Sequence, residues 1–329
     1  MVSRRLKVAV ALLLAVTLVN ISFYLNSTKP TISIVGTIPV GADPRAVAVN
    51  AITHRVYVTN LATNDVSVID TVANTSVATV QVGKNPYLIA VNQETNVIYV
   101  QTDDGLDVIN GTNSRHVKTL PISGRQALRV DPTLNRLYVV TWENGGMLYV
   151  IDGSTNSIVD TIDLKKQYNF SGPCGLDIDP QAHQIYITEV YGGGLLVINS
   201  TNLRLITGVP YVGNVKIIVD RKPNRIYALY GYPNHQSYGL NILDATTYKL
   251  IAGIRTDGSL LAFDPTRSLV YMIDFGNNTL ITIDGQSGRI MGSLQLAFQP
   301  KGIDVDISTG RIFVTDPKAS SLVIIQVQK

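Results

Sequence analysis

Short apolar segments of five or six residues recur along most of the chain and are separated by turns rich in Gly, Pro, Asn and Asp. Their apolar residues alternate or run together without the spacing of a helix, which predicts buried β-strands. One segment, RVYVTN at 55–60, returns six times in related form, each time around one aromatic residue. The seven aromatic residues are Tyr57, Tyr99, Tyr138, Tyr186, Tyr227, Tyr271 and Phe313. Their spacing predicts a repeat of about 40 residues.

The order of parts is the same in every repeat. A Pro or Gly turn leads to a first short strand that ends in Asp or Asn, the second strand carries the aromatic residue, and polar turns lead to a third and a fourth strand. Four short strands in about 40 residues are typical of one blade of a β-propeller. The seventh repeat has only three such strands, whereas an unassigned strand, TISIVGTIPV, lies at 31–40. We therefore predict an all-β, seven-bladed propeller of four-stranded blades, closed by this N-terminal strand.

The first repeat also carries a family resemblance. Residues 57–60 read YVTN, which resembles the signature of the YVTN-family β-propeller repeats of archaeal surface-layer and bacterial YncE-like proteins. The resemblance extends over about residues 31–329 through the repeat, although the later copies keep the aromatic residue and change the rest. It implies the propeller fold and leaves the function open.

The first 29 residues differ from the rest of the chain. Arg4, Arg5 and Lys7 precede a mainly apolar run at 8–25, as in a secretory signal or an uncleaved anchor. The run approaches the ~20 residues that cross a bilayer as a helix, and no small-residue cleavage site follows it. We expect a hydrophobic N-terminal helix in the membrane, with a propeller of residues 30–329 outside the cell. Cleavage would instead give a secreted protein.

The net charge of +3 belongs to this N-terminal segment. Residues 1–7 hold three of the 27 basic side chains and no acidic one, which leaves 24 basic against 24 acidic side chains in the remainder. Because binding to nucleic acid needs a cationic surface, we expect no nucleic-acid partner. The only cysteine, Cys174, excludes an internal disulfide.

One face of the predicted ring concentrates aromatic residues. The loops that enter the first strand of a blade and those that join its second and third strands share a face, which we call the top face. Its loops in the third to fifth repeats hold Tyr168 and Phe170 and, as the candidate ligand site, Trp142, Tyr191, Tyr230, Tyr232, Tyr238, Glu143, Glu189 and His235. Flat aromatic rings beside polar groups are typical of surfaces that bind glycans or proteins. The alternative is that these rings pack over the blade edges.

Weaker candidates lie elsewhere. Arg45, Arg125 and Lys301 follow inter-blade turns at the channel mouth, where they would attract an anion or form a solvated rim. Glycosylation sequons that would lie outside the bilayer start at Asn26, Asn74, Asn110, Asn169, Asn199 and Asn277. The repeated Asp and Asn residues at strand ends are expected to close turns and not to bind calcium. We expect neither a cofactor nor a metal.

Three functions remain open at this point. A binding module at the cell surface, with a glycan or protein ligand on the top face, is favoured. A metal-dependent lactonase-like hydrolase would use carboxylates such as Glu189, Asp274 and Asp316, which end second strands on the top face. The third function is a structural component of the envelope. We assign no catalytic residue, because Cys174 has no predicted base beside it except distant His235.

Overall fold

The computed structural model describes residues 30–124, 126–213, 215–220, 222, 224–231 and 238–328. The predicted N-terminal helix and its boundary with the propeller fall on residues 1–29, outside the described part. Within the described ranges, no helix is long and apolar enough to cross a membrane.

The described residues form seven antiparallel sheets of four strands, as predicted. The first strand is β1 (Thr31–Pro39). Blades 1 to 3 consist of β2 (Pro44–Asn50), β3 (Arg55–Asn60), β4 (Asp65–Asp70) and β5 (Thr75–Gln81); β6 (Leu88–Asn92), β7 (Val97–Thr102), β8 (Gly105–Asn110) and β9 (Arg115–Leu120); and β10 (Ala127–Asp131), β11 (Arg136–Thr141), β12 (Met147–Asp152) and β13 (Ser157–Asp163).

Two short helical turns flank the outer strands of blade 3, a 3-10 turn at Glu143–Gly145 and α1 (Leu164–Tyr168). Blades 4 to 6 consist of β14 (Pro173–Asp179), β15 (Gln184–Glu189), β16 (Leu195–Asn199) and β17 (Leu205–Val209); β18 (Lys216–Asp220), β19 (Arg225–Gly231), β20 (Tyr238–Asp244) and β21 (Leu250–Arg255); and β22 (Gly258–Asp264), β23 (Leu269–Asp274), β24 (Thr279–Asp284) and β25 (Ile290–Gln295). Blade 7 consists of β26 (Ile303–Asp306), β27 (Arg311–Asp316), β28 (Ser321–Gln328) and β1.

The N-terminal strand closes the ring. β1 is the outermost strand of blade 7 and pairs with β28 from Thr31 opposite Gln328 to Pro39 opposite Ser321. Beyond the strand, the N–H of Val40 donates to the carbonyl of Ser320 at 3.0 Å. This pairing covers the edge that β28 would otherwise expose, so the first and last parts of the described chain hold one sheet together.

The apolar core is divided among the junctions between blades. Each of the seven junctions contains one cluster of buried aliphatic and aromatic side chains. The seven repeated aromatic residues are at most 2% exposed and lie within these clusters. A single small sheet cannot bury both of its faces, and a closed ring gives each blade a neighbour on either side.

Most of these tyrosines also make a polar contact with the next blade. The hydroxyl of Tyr138 donates to the carbonyl of Ser200 at 3.1 Å, and that of Tyr227 donates to the carbonyl of Gly285 at 2.8 Å. The hydroxyls of Tyr57 and Tyr99 reach Asn96 and Asn156 in the same way. The repeated aromatic side chain therefore fills the junction. Its hydroxyl holds a turn of the neighbouring blade on the face opposite the top face.

This contact gives a matched pair of predictions. The hydroxyl of Tyr271 is buried without a hydrogen-bond partner among the described residues. Replacing Tyr227 by Phe should lower the free energy of unfolding by about 1–2 kcal/mol, because the carbonyl of Gly285 loses its donor. Tyr271→Phe should be neutral or stabilising. Urea unfolding curves measure both variants, and an equal loss in the two would contradict the assignment.

Turn chemistry explains where the strands end. The aspartates and asparagines that end the first strands accept hydrogen bonds from backbone N–H groups two and three residues later, as Asn50 does from Ile52 and Thr53. Those that end the third strands do the same, as Asp152 does from Ser154 and Thr155. The prediction that these residues close turns is therefore confirmed.

One expectation about these turns is wrong. In three repeats an Arg lies five residues after the Asp that ends the first strand (Asp131/Arg136, Asp220/Arg225 and Asp306/Arg311), which predicts an ion pair across each hairpin. In the described part of the chain, Asp131 and Arg136 form no such pair, and neither do Asp306 and Arg311. Arg136 instead donates to the carbonyl of Ser200 in blade 4, and Arg311 donates to that of Thr71 in blade 1. These long side chains extend across the blade junction, so they connect neighbouring blades.

Candidate functional site

A cavity opens on the top face at the junction of blades 4 and 5, within the sector in which the sequence concentrates aromatic residues. Its volume is about 400 Å³. It is bordered by the loop 190–194 that joins β15 to β16, by the connection 210–213 between β17 and β18, and by the end of β19. We call this cavity the top pocket.

Three of the described tyrosines surround the top pocket. Tyr191 and Tyr211 are 75% and 83% exposed, and Tyr230 is half-buried. The ring of Tyr191 lies so close to Gly172 that a Cβ there would meet it at 2.9 Å. The ring of Tyr230 covers Gly239 in the same manner, at 2.5 Å from its hydroxyl oxygen to such a Cβ. The two glycines therefore let the backbone approach and support the rings.

The backbone of the top pocket is fixed by hydrogen bonds between its loops. The carbonyl of Gly193 accepts from the N–H groups of Val212 and Gly213 at 2.7 and 3.2 Å. The side-chain amide of Asn241 donates to the carbonyl of Val212 at 3.0 Å. Val212 itself is buried beneath the opening. The two loops consequently form one unit with a polar and aliphatic floor.

Tyr211 has an unusual backbone conformation. Its φ of +60° lies in the left-handed region, which costs a bulky residue of order 1 kcal/mol or more. The hydrogen bonds of the following residues to Gly193 hold this conformation. A tyrosine that is strained in its backbone and almost fully exposed in its ring contributes little to the core, and this combination is typical of binding sites.

Glu189 supports the pocket without lining it. Its carboxylate lies against Gly192 and Gly194. Burial raises the pKa of Glu189, and the nearby backbone N–H groups of Ser171 and Gly194 oppose this shift. The carboxylate therefore shapes the 190–194 loop on which Tyr191 lies.

Trp142 and Glu143 lie in a different part of the top face. The indole of Trp142 is 45% exposed and donates to the carbonyl of Pro173 at 2.7 Å. Glu143 accepts from the hydroxyl of Tyr149 at 2.5 Å, and burial together with this carboxylate raises the pKa of Tyr149 to about 12. Trp142 therefore lies at the junction of blades 3 and 4, Glu143 contacts blade 3, and neither lines the top pocket.

The insertion before blade 4 packs against the body of the propeller. Phe170 is 7% exposed within the cluster between blades 3 and 4. The hydroxyl of Tyr168 donates to the carbonyl of Leu203, in a turn on the opposite face from the top pocket. For these two residues the alternative of loop packing is confirmed, because α1 lies along the groove between the blades.

The remaining aromatic candidates are only partly described. Tyr232 and His235 lie outside the described residues. Tyr238 pairs through its backbone with Gly231 at the edge of the pocket. Sequence reasoning missed Tyr211, although its place in the top-face connection between two aromatic-bearing loops is a signal that would have identified it.

The cations at the channel mouth have local partners. Arg45 forms an ion pair with Asp43 at 2.7 Å. The Nζ of Lys301 donates to Gln299 at 3.1 Å and lies 5.0 Å from the centre of the Phe275 ring. Arg125 is outside the described residues. These contacts use part of the hydrogen-bonding capacity that an anion would need.

The sequons occupy loops and turns. Asn74, Asn110, Asn169 and Asn277 are exposed, and Asn199 is half-buried, with its Oδ1 accepting from the N–H of Thr201. Asn26 lies outside the described residues.

The carboxylates considered for a hydrolase are engaged in turns. Asp274 accepts from Thr256 and Asn277, and Asp316 accepts from the N–H groups of Lys318 and Ala319. Within the described ranges, no three His, Cys, Asp or Glu side chains converge as metal ligands. Burial raises the pKa of the Cys174 thiol to about 11, so at neutral pH little of it is the nucleophilic thiolate.

Several charged side chains on the inner strands connect adjacent blades, among them Arg129, Asp177, Lys216 and Asp304. Arg129 on β10 contacts Asp177 on β14 at 3.1 Å, and Asp177 accepts from the N–H of Val219 at 2.7 Å. Asp304 on β26 accepts from the N–H of Val49 at 2.8 Å, across the ring closure. The Nζ of Lys216 on β18 donates to the carbonyl of Leu261 at 3.0 Å. These contacts satisfy inner-strand groups and join adjacent blades.

Lys216 predicts a pH dependence of stability. Burial of Lys216 is the main cause that lowers its pKa to about 8, and the positive charge of Arg129 contributes. The negative charges of Asp304 and Asp177 oppose this shift. An unfolded lysine titrates near 10.5, so the unfolded chain binds more protons between these pH values and stability rises with pH across this window. Relative to Lys216→Met, the wild type should gain about 1–3 kcal/mol between pH 8 and 10.5 in chemical denaturation. Lys84 is exposed, so the unfolding free energy of the control variant Lys84→Met should change with pH as that of the wild type does. If the unfolding free energy of Lys216→Met also changed with pH as in the wild type, the assignment would be contradicted.

Comparisons with known proteins support the fold. No protein-family model matches the chain, and no curated protein matches it. Hydrazine synthase from Kuenenia stuttgartiensis matches with a TM-score of 0.77 and 13% identity over 86% of this chain and 95% of its own. The Cps50 (Swd1) β-propeller domain of Myceliophteria thermophila matches with a TM-score of 0.73 and 12% identity over 91% and 100%. At these identities the likeness concerns the propeller fold alone, and the YVTN resemblance stays a prediction.

Proposed function

We propose that this protein is a binding module whose top pocket holds a neutral glycan. The observation that carries the proposal is the pair of exposed rings, Tyr191 and Tyr211, beside a cavity of about 400 Å³. Flat, rigid tyrosine rings contact the apolar faces of sugars at a small entropic cost, and their hydroxyls remain free to bond to sugar hydroxyls. The volume lies in the lower part of the range for small-molecule sites, which suits one or two sugar rings.

The polar groups of the pocket favour an uncharged ligand. Its described lining contains the side chain of Asn241, tyrosine hydroxyls and glycine backbone, and no side chain among these described residues is charged. The carboxylate of Glu189 lies against Gly192 and Gly194 and is not part of the pocket lining. A charged sugar would gain no ion pair in this pocket and would lose hydration.

A direct titration tests the proposed ligand class. Isothermal titration of the protein with neutral disaccharides, such as maltose, cellobiose and mannobiose, should show saturable binding by at least one of them. A disaccharide that contains a uronic acid should bind more weakly than its neutral counterpart. Equal or tighter binding of the charged sugar would reject the neutral-glycan proposal.

We further propose that the propeller is held at the outer face of a cell membrane by residues 8–25, and that it belongs among the YVTN-type propellers. The basic residues before the apolar run and the YVTN stretch at 57–60 support these proposals. Protease added outside sealed cells should cleave the propeller loops. Complete protection in intact cells would contradict the proposed orientation.

A further inference from the structure

The exposed apolar side chains differ between the two faces. On the top face the large exposed side chains are mainly aromatic, namely Trp142, Tyr191 and Tyr211. On the opposite, bottom face and the adjoining part of the outer edge, every large exposed hydrophobic residue that is described is aliphatic. Aromatic groups suit sugar and protein ligands, whereas aliphatic groups without polar atoms suit hydrocarbon.

A repeated β-bulge produces part of this aliphatic surface. The outermost strand of every blade shifts register by one residue near its bottom end. The bulged residue is apolar in each blade, as with Val117 in blade 2, Ile206 in blade 4 and Ile251 in blade 5, which are 44–53% exposed. The bulge thus exposes one aliphatic side chain at the same height on every blade except blade 6, where the bulged residue Met291 is half-buried.

Blades 4 to 6 add a second aliphatic residue beside a cation at this height, whereas blade 2 has the cation Arg115 beside the polar residue His116. The successive residues in blades 4 to 6 are Arg204-Leu205-Ile206, Lys249-Leu250-Ile251 and Arg289-Ile290-Met291. In blades 1 and 2 the position of Leu205 is taken by the polar residues Ser76 and His116. We call the surface formed by these three tripeptides the basic rim.

The cations of the basic rim have no acidic partner. Arg204, Lys249 and Arg289 are exposed, and none of them forms an ion pair with the described residues. The carboxylates nearest in sequence, Asp244 and Asp284, accept hydrogen bonds from their own turns. The rim therefore presents three uncompensated positive charges beside at least five exposed aliphatic side chains.

The place where the described chain begins indicates what covers this rim. Pro30 precedes the bottom end of β1 in blade 7, and Ile32 of β1 contacts blade 6 near Gly292. The 29 residues before it include the apolar run at 8–25. The aliphatic surface continues from this entry point through Ile34 and Val35 to blades 6, 5 and 4. A bilayer entered by residues 8–25 would thus meet the basic rim.

We propose that the basic rim docks the propeller on a bilayer surface that contains anionic lipids. The aliphatic side chains would enter the boundary between headgroups and acyl chains, and the three cations would attract anionic headgroups. This docking tilts the propeller so that blades 4 to 6 lie near the membrane and blade 2 lies away from it. The inference rests on the proposed anchor and is independent of the glycan proposed for the top pocket.

The experiment uses the full chain reconstituted in vesicles and a fluorophore on a single cysteine. In a Cys174→Ser background, Ile251→Cys labels the basic rim and Val117→Cys labels the equivalent bulge of blade 2. In phosphatidylcholine vesicles with about 30% phosphatidylglycerol, nitroxide-bearing lipid should quench the label at 251 roughly threefold more than the label at 117. In phosphatidylcholine alone the difference should shrink.

A charge-reversal variant separates the lipid from other partners. Arg204→Glu with Lys249→Glu and Arg289→Glu, all exposed positions, should abolish the effect of phosphatidylglycerol on quenching at 251. Equal quenching at 251 and 117 would overturn the proposal. A second copy of the chain could instead cover the rim. In that case the fluorescence of the label at 251 would change with the protein-to-lipid ratio and not with the lipid composition, and this result would also overturn the proposal.

Discussion

A charge buried in β1, the strand that closes the ring, should strongly destabilise the propeller. Replacing Ile38 by Asp is expected to lower the free energy of unfolding by about 4 kcal/mol or more, because an unpaired carboxylate would enter an apolar cluster. Ile38 is 2% exposed and packs with Val47, Leu322 and Ile324 at the junction of blades 7 and 1. The substitution therefore weakens the sheet of blade 7 and its junction with blade 1 together.

The neighbouring residue supplies the control for this prediction. Thr37 lies on the same strand, one residue earlier, and is exposed. Thr37→Asp introduces the same charge at nearly the same place and should change stability by less than about 1 kcal/mol. Urea unfolding followed by circular dichroism measures both variants. Similar losses in the two would mean that β1 does not seal the ring as described.

The second large effect concerns the top pocket. Tyr191→Ala and Tyr211→Ala should each weaken binding of a neutral disaccharide about tenfold or more, because each removes one face of the stacking surface. Both side chains are mostly exposed, so the folded state should persist. Tyr211→Ala keeps a Cβ at a positive φ, and its melting temperature should therefore stay near that of the wild type.

Trp142→Ala is the matched control for the pocket variants. Trp142 is an exposed aromatic residue on the same face, but it lies at the junction of blades 3 and 4 and donates to Pro173. Calorimetric titration should find its sugar affinity within about twofold of the wild type. If Trp142→Ala removes binding while Tyr191→Ala and Tyr211→Ala retain it, the ligand site lies at blades 3 and 4.

The fold could be predicted from sequence because its determinants are local and repeated. Turn-closing residues such as Asn50 and Asp152 bond to backbone N–H groups within three residues, so their spacing marks the strand ends. The aromatic residues recur at one position in each blade, which sets the number of blades. The assignment of β1 to blade 7 followed from counting strands, and its pairing with β28 confirms it.

The site was predicted only in outline because it depends on contacts between distant residues. Tyr191 and Tyr230 lie at the top pocket, whereas Tyr168 and Phe170 pack along the blades. That difference depends on the direction taken by α1, which turn chemistry does not determine. The sequence indicates that Tyr211 lies in a top-face connection, but its positive φ and the hydrogen bonds of the following residues to Gly193 depend on contacts between two loops.

The arginines illustrate the same limit. Sequence spacing favours pairing within a hairpin, because the partner is five residues away. In the folded ring the adjacent blade is just as close and offers a carbonyl, as Ser200 does for Arg136. Local patterns describe one blade well, but they do not indicate which groups the next blade presents.

The location of the ligand site can be determined from a crystal structure of the protein with a bound neutral disaccharide. We expect a sugar ring at the top pocket, in contact with the rings of Tyr191 and Tyr211 and within hydrogen-bonding distance of Asn241 or Tyr230. A sugar bound elsewhere on the propeller, with the top pocket holding only solvent, would contradict this expectation.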